Sequence, residues 1–446
     1  MQNFAIAGAR RAVCALAFAG AVAGCTPGPD YAAPEIALAD RYAVVLPVRL
    51  PEGEAAQWWR AFEDPVFETL VSAALVQNLS LAEARARLQE AEAETRRAGA
   101  GGVSGNATLE GQTGSAGDSL QAGLSVLPDL TGGQRRRAEA AIARLQAAQF
   151  GVAEAQRRVL GELGTAYVEL RFFQHSRLLR QQDLRSRRAT LNDITTQIER
   201  GTATRLDLLR ARALVAETEA EIPRLEADIL RQRQRIATLL GRPAADLPVD
   251  LGPPGRQPLP RAAATVGVPA DLLRLRPDIR AAERRYAAAV SEIGAAEAAR
   301  YPQLSLSGLI RAPLSGGSAS DTLTAGLTLP LLSQGALAAG VEVQEARAAQ
   351  AYLQWRLAVL GAVEEVEGAL AALAAAQQAA RAAAAAVALN EESLALSRQL
   401  LESGGNATVL DLLDRERAVS AARATLARSR RDIGRDHVAL QTALGR

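Results

Sequence analysis

The sequence predicts a mainly α-helical protein made of two copies of one long-helix unit, each copy adding a pair of membrane-type β-strands. Three observations carry this. GTATRLDLL at Gly201–Leu209 returns as GNATVLDLL at Gly405–Leu413, identical at seven of nine positions and shifted by 204 residues in a chain of 446. Such self-similarity marks a duplicated architecture. Downstream of the two copies, apolar residues fall every seventh position: Leu208, Val215, Ile222, Ile229 and Ile236, then Leu412, Val419, Leu426, Ile433 and Leu440. A heptad repeat is a helix packed along its length on another helix, with a left-handed supercoil. Between the helical stretches the pattern switches to strict alternation, as at Leu120, Ala122, Leu124 and Val126 against Gln121, Gly123 and Ser125. That is strand period.

The elements follow in order. Arg10 and Arg11 precede an apolar run from Ala12 to Ala23, too short to span a membrane, so residues 1–24 read as an export signal. Val22-Ala23-Gly24-Cys25 looks like a bacterial lipobox, which makes Cys25 the acylated first residue of the mature chain, carrying a palmitate-type lipid. Cys14 is discarded with the signal, so the mature protein has no free thiol and no disulfide in an oxidising compartment. Thr26 stands where an aspartate favours inner-membrane retention, so the expected destination is the outer membrane. Residues 25–64 form an extended segment, proline-rich to about Pro51. Asp64-Pro65 then opens a helix that runs to about Ala98. Strands are expected at about 104–113 and 119–127. No proline occurs between Pro128 and Pro223, so one helix from about Gln134 to Arg200 is predicted, roughly 100 Å long at 1.5 Å per residue. Gly201 breaks it, and the first heptad helix follows to about Leu240.

A proline-rich connector at 241–276 separates the first unit, 65–240, from the second, 277–446. The second repeats the order: a helix from about Pro277 to Arg300, strands at about 303–312 and 322–330, a long helix from about Ala336 to Glu402, the break at Gly404 and Gly405, and the last heptad helix. Gly368–Leu389 is nearly all alanine, but alanine is weakly apolar and Arg381 is costly in lipid, so it reads as close helix packing. The strands pose a counting problem. Each has the length and alternation of an outer-membrane strand. Four cannot close a barrel, which needs about eight, and open sheet edges are not tolerated in lipid. Several chains must therefore share one barrel, if the strands lie in the membrane.

Composition narrows the function classes. All 51 basic residues are arginines interleaved with 49 acids, a net charge of +2, which gives no nucleic-acid signal. Aromatics make up only 4%, which suits thin, close-packed helices. The two histidines, His175 and His437, have no metal-ligand partner at helical spacing, and no phosphate loop or nucleophile motif occurs. The sequence offers no catalytic residue, no metal site and no cofactor beyond the covalent lipid on Cys25. Three carboxylates are informative: Asp207 and Asp411 lie six residues after the helix-breaking glycines, and Asp414 is one helical step beyond Asp411 on the same face.

Four segments in order, together with the two GxAT-x-LDLL turns, carry a resemblance: Cys25-Thr26-Pro27-Gly28-Pro29-Asp30-Tyr31, Trp58 to Pro65 (WWRAFEDP), Asp271 to Glu283 (DLLRLRPDIRAAE) and Ala299 to Leu304 (ARYPQL). The chain resembles the TolC-like outer-membrane efflux proteins, and among them the NodT or OprM type of lipoprotein. The resemblance implies a homotrimer with a shared twelve-stranded barrel and twelve periplasmic helices. It implies an exit duct of a tripartite pump, lipid-anchored in the outer membrane, with a periplasmic adaptor and an inner-membrane transporter of the resistance-nodulation-division class as partners. It places rings of Asp411 and Asp414 around a closed periplasmic entrance, with Asp207 at the matching position of the first repeat and Gly201, Gly404 and Gly405 at the helix-break turns. One departure stands out: Ala407 occupies a position where some members carry an arginine that ties helices shut. The alternatives are a duct of a type I protein secretion system and a periplasm-spanning structural lipoprotein without a pore.

Overall fold

Asp64 and Pro65 start the first helix in the way their chemistry dictates. In the computed structural model of the chain the Asp64 carboxylate accepts from the Val66 and Phe67 N–H groups, at 3.0 and 3.3 Å, and Pro65 fills the first turn, where a missing donor costs nothing. The structure describes residues 27–39, 41–42, 55–101, 103–110, 119–261, 269–314, 316, 318–403 and 406–446. The lipobox, Cys25, Gly404 and Gly405 lie outside them.

The single helix expected from Pro65 to Ala98 is two helices, α1 (Pro65–Gln77) and α2 (Leu79–Gly99). Asn78 divides them. Its backbone is extended, its Oδ1 accepts from the Leu81 N–H at 2.9 Å, and its Nδ2 donates to the Leu239 carbonyl at 2.7 Å. A side chain that competes with the backbone ends a helix without disturbing the apolar period around it. The long helices appear as expected: α3 (Gly133–Glu199), α4 (Arg205–Leu239), α5 (Pro277–Ala298), α6 (Gln334–Glu402) and α7 (Val409–Ala443). None of the ten heptad residues is exposed. Among the described residues the one stretch long and apolar enough to cross a membrane is 65–99, which Asn78 splits. The alanine run instead buries Ala369, Leu370, Leu373, Ala376 and Ala383 within α6.

The strands are β1 (Val103–Glu110), β2 (Ser119–Val126), β3 (Gln303–Pro313) and β4 (Ser320–Thr328), paired antiparallel in the order β1-β2-β3-β4. β4 begins and ends two residues earlier than expected, and Leu329 falls outside it. Directly opposed residues share a face, so the register sorts the side chains. Leu124 stands opposite Gly308, Gly308 opposite Leu323, Ala122 opposite Ile310, and Leu304 opposite Leu327. One face is therefore apolar: Leu120, Ala122, Leu124, Val126, Leu304, Leu306, Ile310, Leu323, Ala325 and Leu327, broken only by Asp321 at one end. The other carries Ser104, Asn106, Thr108, Gln121, Ser125, Ser305, Ser307, Thr322 and Thr324. In the single chain the apolar face is bare, with Leu124 at 54%, Leu327 at 69% and Leu323 at 86% exposure.

The described residues group into two units, each drawing on both sequence repeats. The first lies within 1–37, 84–152 and 277–359, the second within 38–83, 153–276 and 360–446. In the first, alanines let helices approach closely: Ala140 and Ala143 pack on Ala287 and Ala288, and Val290 and Ile293 on Val341 and Ala348. Residues 27–31 strap onto these helices. Gly28 has φ +95°, and a Cβ there would lie 2.4 Å from the Gly294 Cα, so only glycine fits. Asp30 pairs with the buried Arg136 at 2.8 Å, and the Tyr31 hydroxyl donates to Glu283 at 2.6 Å. The second unit is organised by aromatics. Trp58 and Phe62, on a 3-10 helix at Ala55–Phe62, flank Phe67, which stacks on Tyr167, and Trp59 meets Trp58 edge-on. The Tyr167 hydroxyl donates to Asp64, so the same carboxylate caps α1 and anchors α3. Arg276, 2% exposed, donates to Glu365 at 2.6 Å and to the Ala443 carbonyl at 2.9 Å.

Candidate functional site

In its first copy the GxAT-x-LDLL sequence is a complete helix-stop, helix-start device, and the second copy shows the same helix start. α3 ends when Gly201 adopts φ +73°. The Gly201 N–H donates to the Ile198 carbonyl and the Thr202 N–H to the Gln197 carbonyl, both at 2.9 Å, which is the Schellman pattern. Three residues on, Thr204 caps α4. Its hydroxyl accepts from the Asp207 N–H at 3.2 Å while the Asp207 carboxylate accepts from the Thr204 N–H at 3.1 Å. Thr408 and Asp411 do the same for α7, at 3.2 and 2.9 Å. Both are capping boxes.

Asp207 and Asp411 therefore have identical local roles, with their carboxylates at helix N-termini where negative charge is favoured. Asp411 is fully exposed, and its carboxyl is held below the usual carboxylate range by the Thr408 hydroxyl and N–H, with Arg415 adding to the effect. It is charged at neutral pH. Asp414, exposed on the next turn, lies 3.7 Å from Arg417, and Asp207 lies 3.7 Å from Arg210. Beneath the turns, Ile194, Ala211 and Leu214 form one buried cluster with Val409 and Leu413. The structure thus brings the starts of α4 and α7 together over the end of α3, with Asp411 and Asp414 exposed beside a shared apolar cluster.

Sequence reasoning named the carboxylates and missed their partners. Thr204 and Thr408 are the N-caps, and the spacing T-x-x-D was the available signal. It also missed a buried polar group further along the hairpins. There Glu416, 5% exposed, accepts from Thr190 at 2.8 Å and from Arg398 at 2.9 Å. Among the described residues no cluster of histidine, cysteine, aspartate and glutamate is arranged to hold a metal ion.

Comparison with known proteins fits this arrangement of turns, helices and strands. A sequence profile of the family described as outer membrane efflux protein matches residues 70–242 and 268–446. Nodulation protein T of Rhizobium leguminosarum bv. viciae is 36% identical over 438 residues, with 95% of this chain and 91% of that protein covered. The pyoverdine export outer membrane protein OpmQ of Pseudomonas putida is 29% identical over 414 residues, with 87% of each covered. Among solved structures, the outer-membrane channel OprN matches at a TM-score of 0.84 and 29% identity, over 94% of this chain and 99% of that one. The open state of the Neisseria gonorrhoeae MtrE outer membrane channel matches at 0.82 and 25% identity, over 94% and 98%.

Proposed function

We propose that this chain, which belongs to the outer membrane efflux protein family and is an outer-membrane efflux channel, works as a lipid-anchored homotrimer that forms the exit duct of a tripartite pump. Channels of this family act with a periplasmic adaptor and an inner-membrane transporter. For this chain the transporter is proposed to be of the resistance-nodulation-division class. The channel itself conducts passively, and substrates are selected upstream.

One observation carries the trimer: a four-stranded sheet, one face apolar but for Asp321 and bare, ends in the unpaired edges of β1 and β4. Such edges have no place in lipid. Three copies supply twelve strands, enough to close a barrel with leucines outward and serine, threonine and asparagine around the lumen. Cys25 carries the lipid. In sequence it stands two residues before Pro27, where the strap on α3 and α5 begins.

At the helix-break turns, three copies of Asp411 and Asp414 put six carboxylates around one opening, with Asp207 as their counterpart in the first repeat. Carboxylate rings select cations. Opening requires the hairpins at Gly201 and at Gly404-Gly405 to swing outward on adaptor contact. Single-channel current across a planar bilayer tests the gate. The wild type should favour cations and be blocked by divalent or trivalent metal ions from the periplasmic side. The Asp411→Ala/Asp414→Ala protein should lose that block while still assembling. Equal metal sensitivity in both would make the aspartates simple helix caps and surface charge.

A further inference from the structure

Serines, threonines and amides dominate the polar face of the sheet, and among its described side chains Arg311 is the only charge. The register puts Arg311 in one row across all four strands with Thr108, Gln121 and Ser320. Gln121 stands between Thr108 and Arg311 and is 7% exposed, so its longer neighbours cover it on a face that is otherwise open. The height of the row is fixed by topology. The helices join the sheet at Val103, Val126, Gln303 and Thr328, and the row lies at the far end of the strands. At about 3.4 Å per residue, the step from Gln303 to Arg311 is roughly 27 Å. The opposite face agrees with that height. Asp321, opposite Ile310, interrupts the apolar stripe one residue away from the Arg311 row, where a strand leaves hydrocarbon for water.

Closure of the barrel turns one arginine into three at the same height. Twelve strands about 4.8 Å apart and tilted by about 40° close a backbone ring roughly 24 Å across. A charge at the wall is then about 12 Å from the axis, and an arginine side chain shortens that distance, which brings it within the Debye length of about 10 Å at 0.1 M salt. Low-dielectric walls focus such fields along the lumen. We infer that three copies of Arg311 form a ring of positive charge just inside the outer mouth of the duct, which concentrates anions there and holds back cations. This rests on the shared barrel proposed above. Rings of arginine or lysine favour anions as rings of carboxylates favour cations, so the exit carries the opposite sign to Asp411 and Asp414.

The test reads the local potential with a cysteine in the full-length, lipidated protein on intact cells. Thr322 lies diagonally across from Arg311 on the same face, with Cβ atoms about 7 Å apart, and Leu323 beside it faces the other way. With Cys14 removed in the signal and Cys25 acylated, Thr322→Cys is the only thiol of the mature chain. Every variant also carries Glu110→Gln, because Glu110 holds the last register position of β1 and the comparison must isolate Arg311. Rates of modification by an anionic methanethiosulfonate (sulfonatoethyl) and a cationic one (trimethylammonioethyl) are followed by mass spectrometry of the purified protein. The anionic-to-cationic ratio at Thr322→Cys should fall several-fold on adding Arg311→Gln and hold on adding Arg311→Lys. The difference should fade in 1 M salt, where the Debye length is about 3 Å. A ratio unchanged by Arg311→Gln, or a difference that survives 1 M salt, overturns the ring. If Arg311→Gln does not assemble, the salt dependence of the ratio with Arg311 in place decides, and a flat dependence overturns the ring. Leu323→Cys reacting as fast as Thr322→Cys would remove the shared barrel instead, since the two residues would then face the same water.

Discussion

His437 shows how one residue sets a pH limit on the fold. It is 1% exposed on α7, its ring meets those of Trp58 and Phe62 edge-on, and its Nε2 has no partner. Burial with no counter-charge lowers its pKa from 6.5 to about 4. The sign follows directly. The folded state keeps this imidazole neutral while the unfolded state protonates near pH 6.5, so its contribution is complete above that pH and is lost as pH falls toward 4. At about 1.4 kcal/mol per pKa unit the loss is about 3 kcal/mol. Asp436 beside it has a carboxyl raised by burial, which acts in the opposite sense, so the comparison must isolate the histidine. Chemical denaturation from pH 7 to pH 4 should show a shallower decline in His437→Leu than in the wild type. Parallel declines would mean that the ring finds solvent or a partner on protonation.

At the scale of elements the strands give the sharpest contrast, because neighbouring residues face opposite environments. Leu124 and Leu327 lie on the apolar face, Ser125 and Thr328 on the polar one. A charge facing lipid near the midplane costs roughly 2–4 kcal/mol. Arginine at Leu124 or Leu327 should reduce the yield of membrane-assembled protein far more than arginine at Ser125 or Thr328. Equal yields would place the sheet outside the membrane. These strands were readable from sequence because their period is two and one whole stripe is leucine, valine or alanine. The long helices were readable because proline is absent and Leu208, Val215 and their counterparts hold a strict seven. The turn was readable as a repeat, but its mechanism was not, since the charge of Asp411 stands out in a sequence and a capping hydroxyl three residues earlier, at Thr408, does not. The break at Asn78 was hidden because Leu81 continues the apolar pattern past it. Glu416 was hidden for a deeper reason: on a helix of alternating charge nothing local separates a solvated glutamate from one buried under Thr190 and Arg398.

At the scale of the whole molecule, two attachments to the membrane are proposed, and they differ in strength. An acyl chain supplies about 0.8 kcal/mol per buried methylene and holds marginally when it acts alone. A twelve-stranded barrel buries every lipid-facing leucine of three sheets and leaves no free edge, so it holds without the lipid. What the lipid adds is position, because the strap from Pro27 to Tyr31 is pinned by Gly28 against Gly294, by Asp30 on Arg136 and by Tyr31 on Glu283. Cys25→Ala, once exported and cleaved, should therefore lose all incorporation of labelled palmitate and yet stay largely with the membrane fraction as a trimer in mild detergent. Label persisting on the variant would remove the lipid from Cys25. Full release of a folded monomer into the soluble periplasmic fraction would show that the lipid was the sole anchor, and with it the shared barrel would fall.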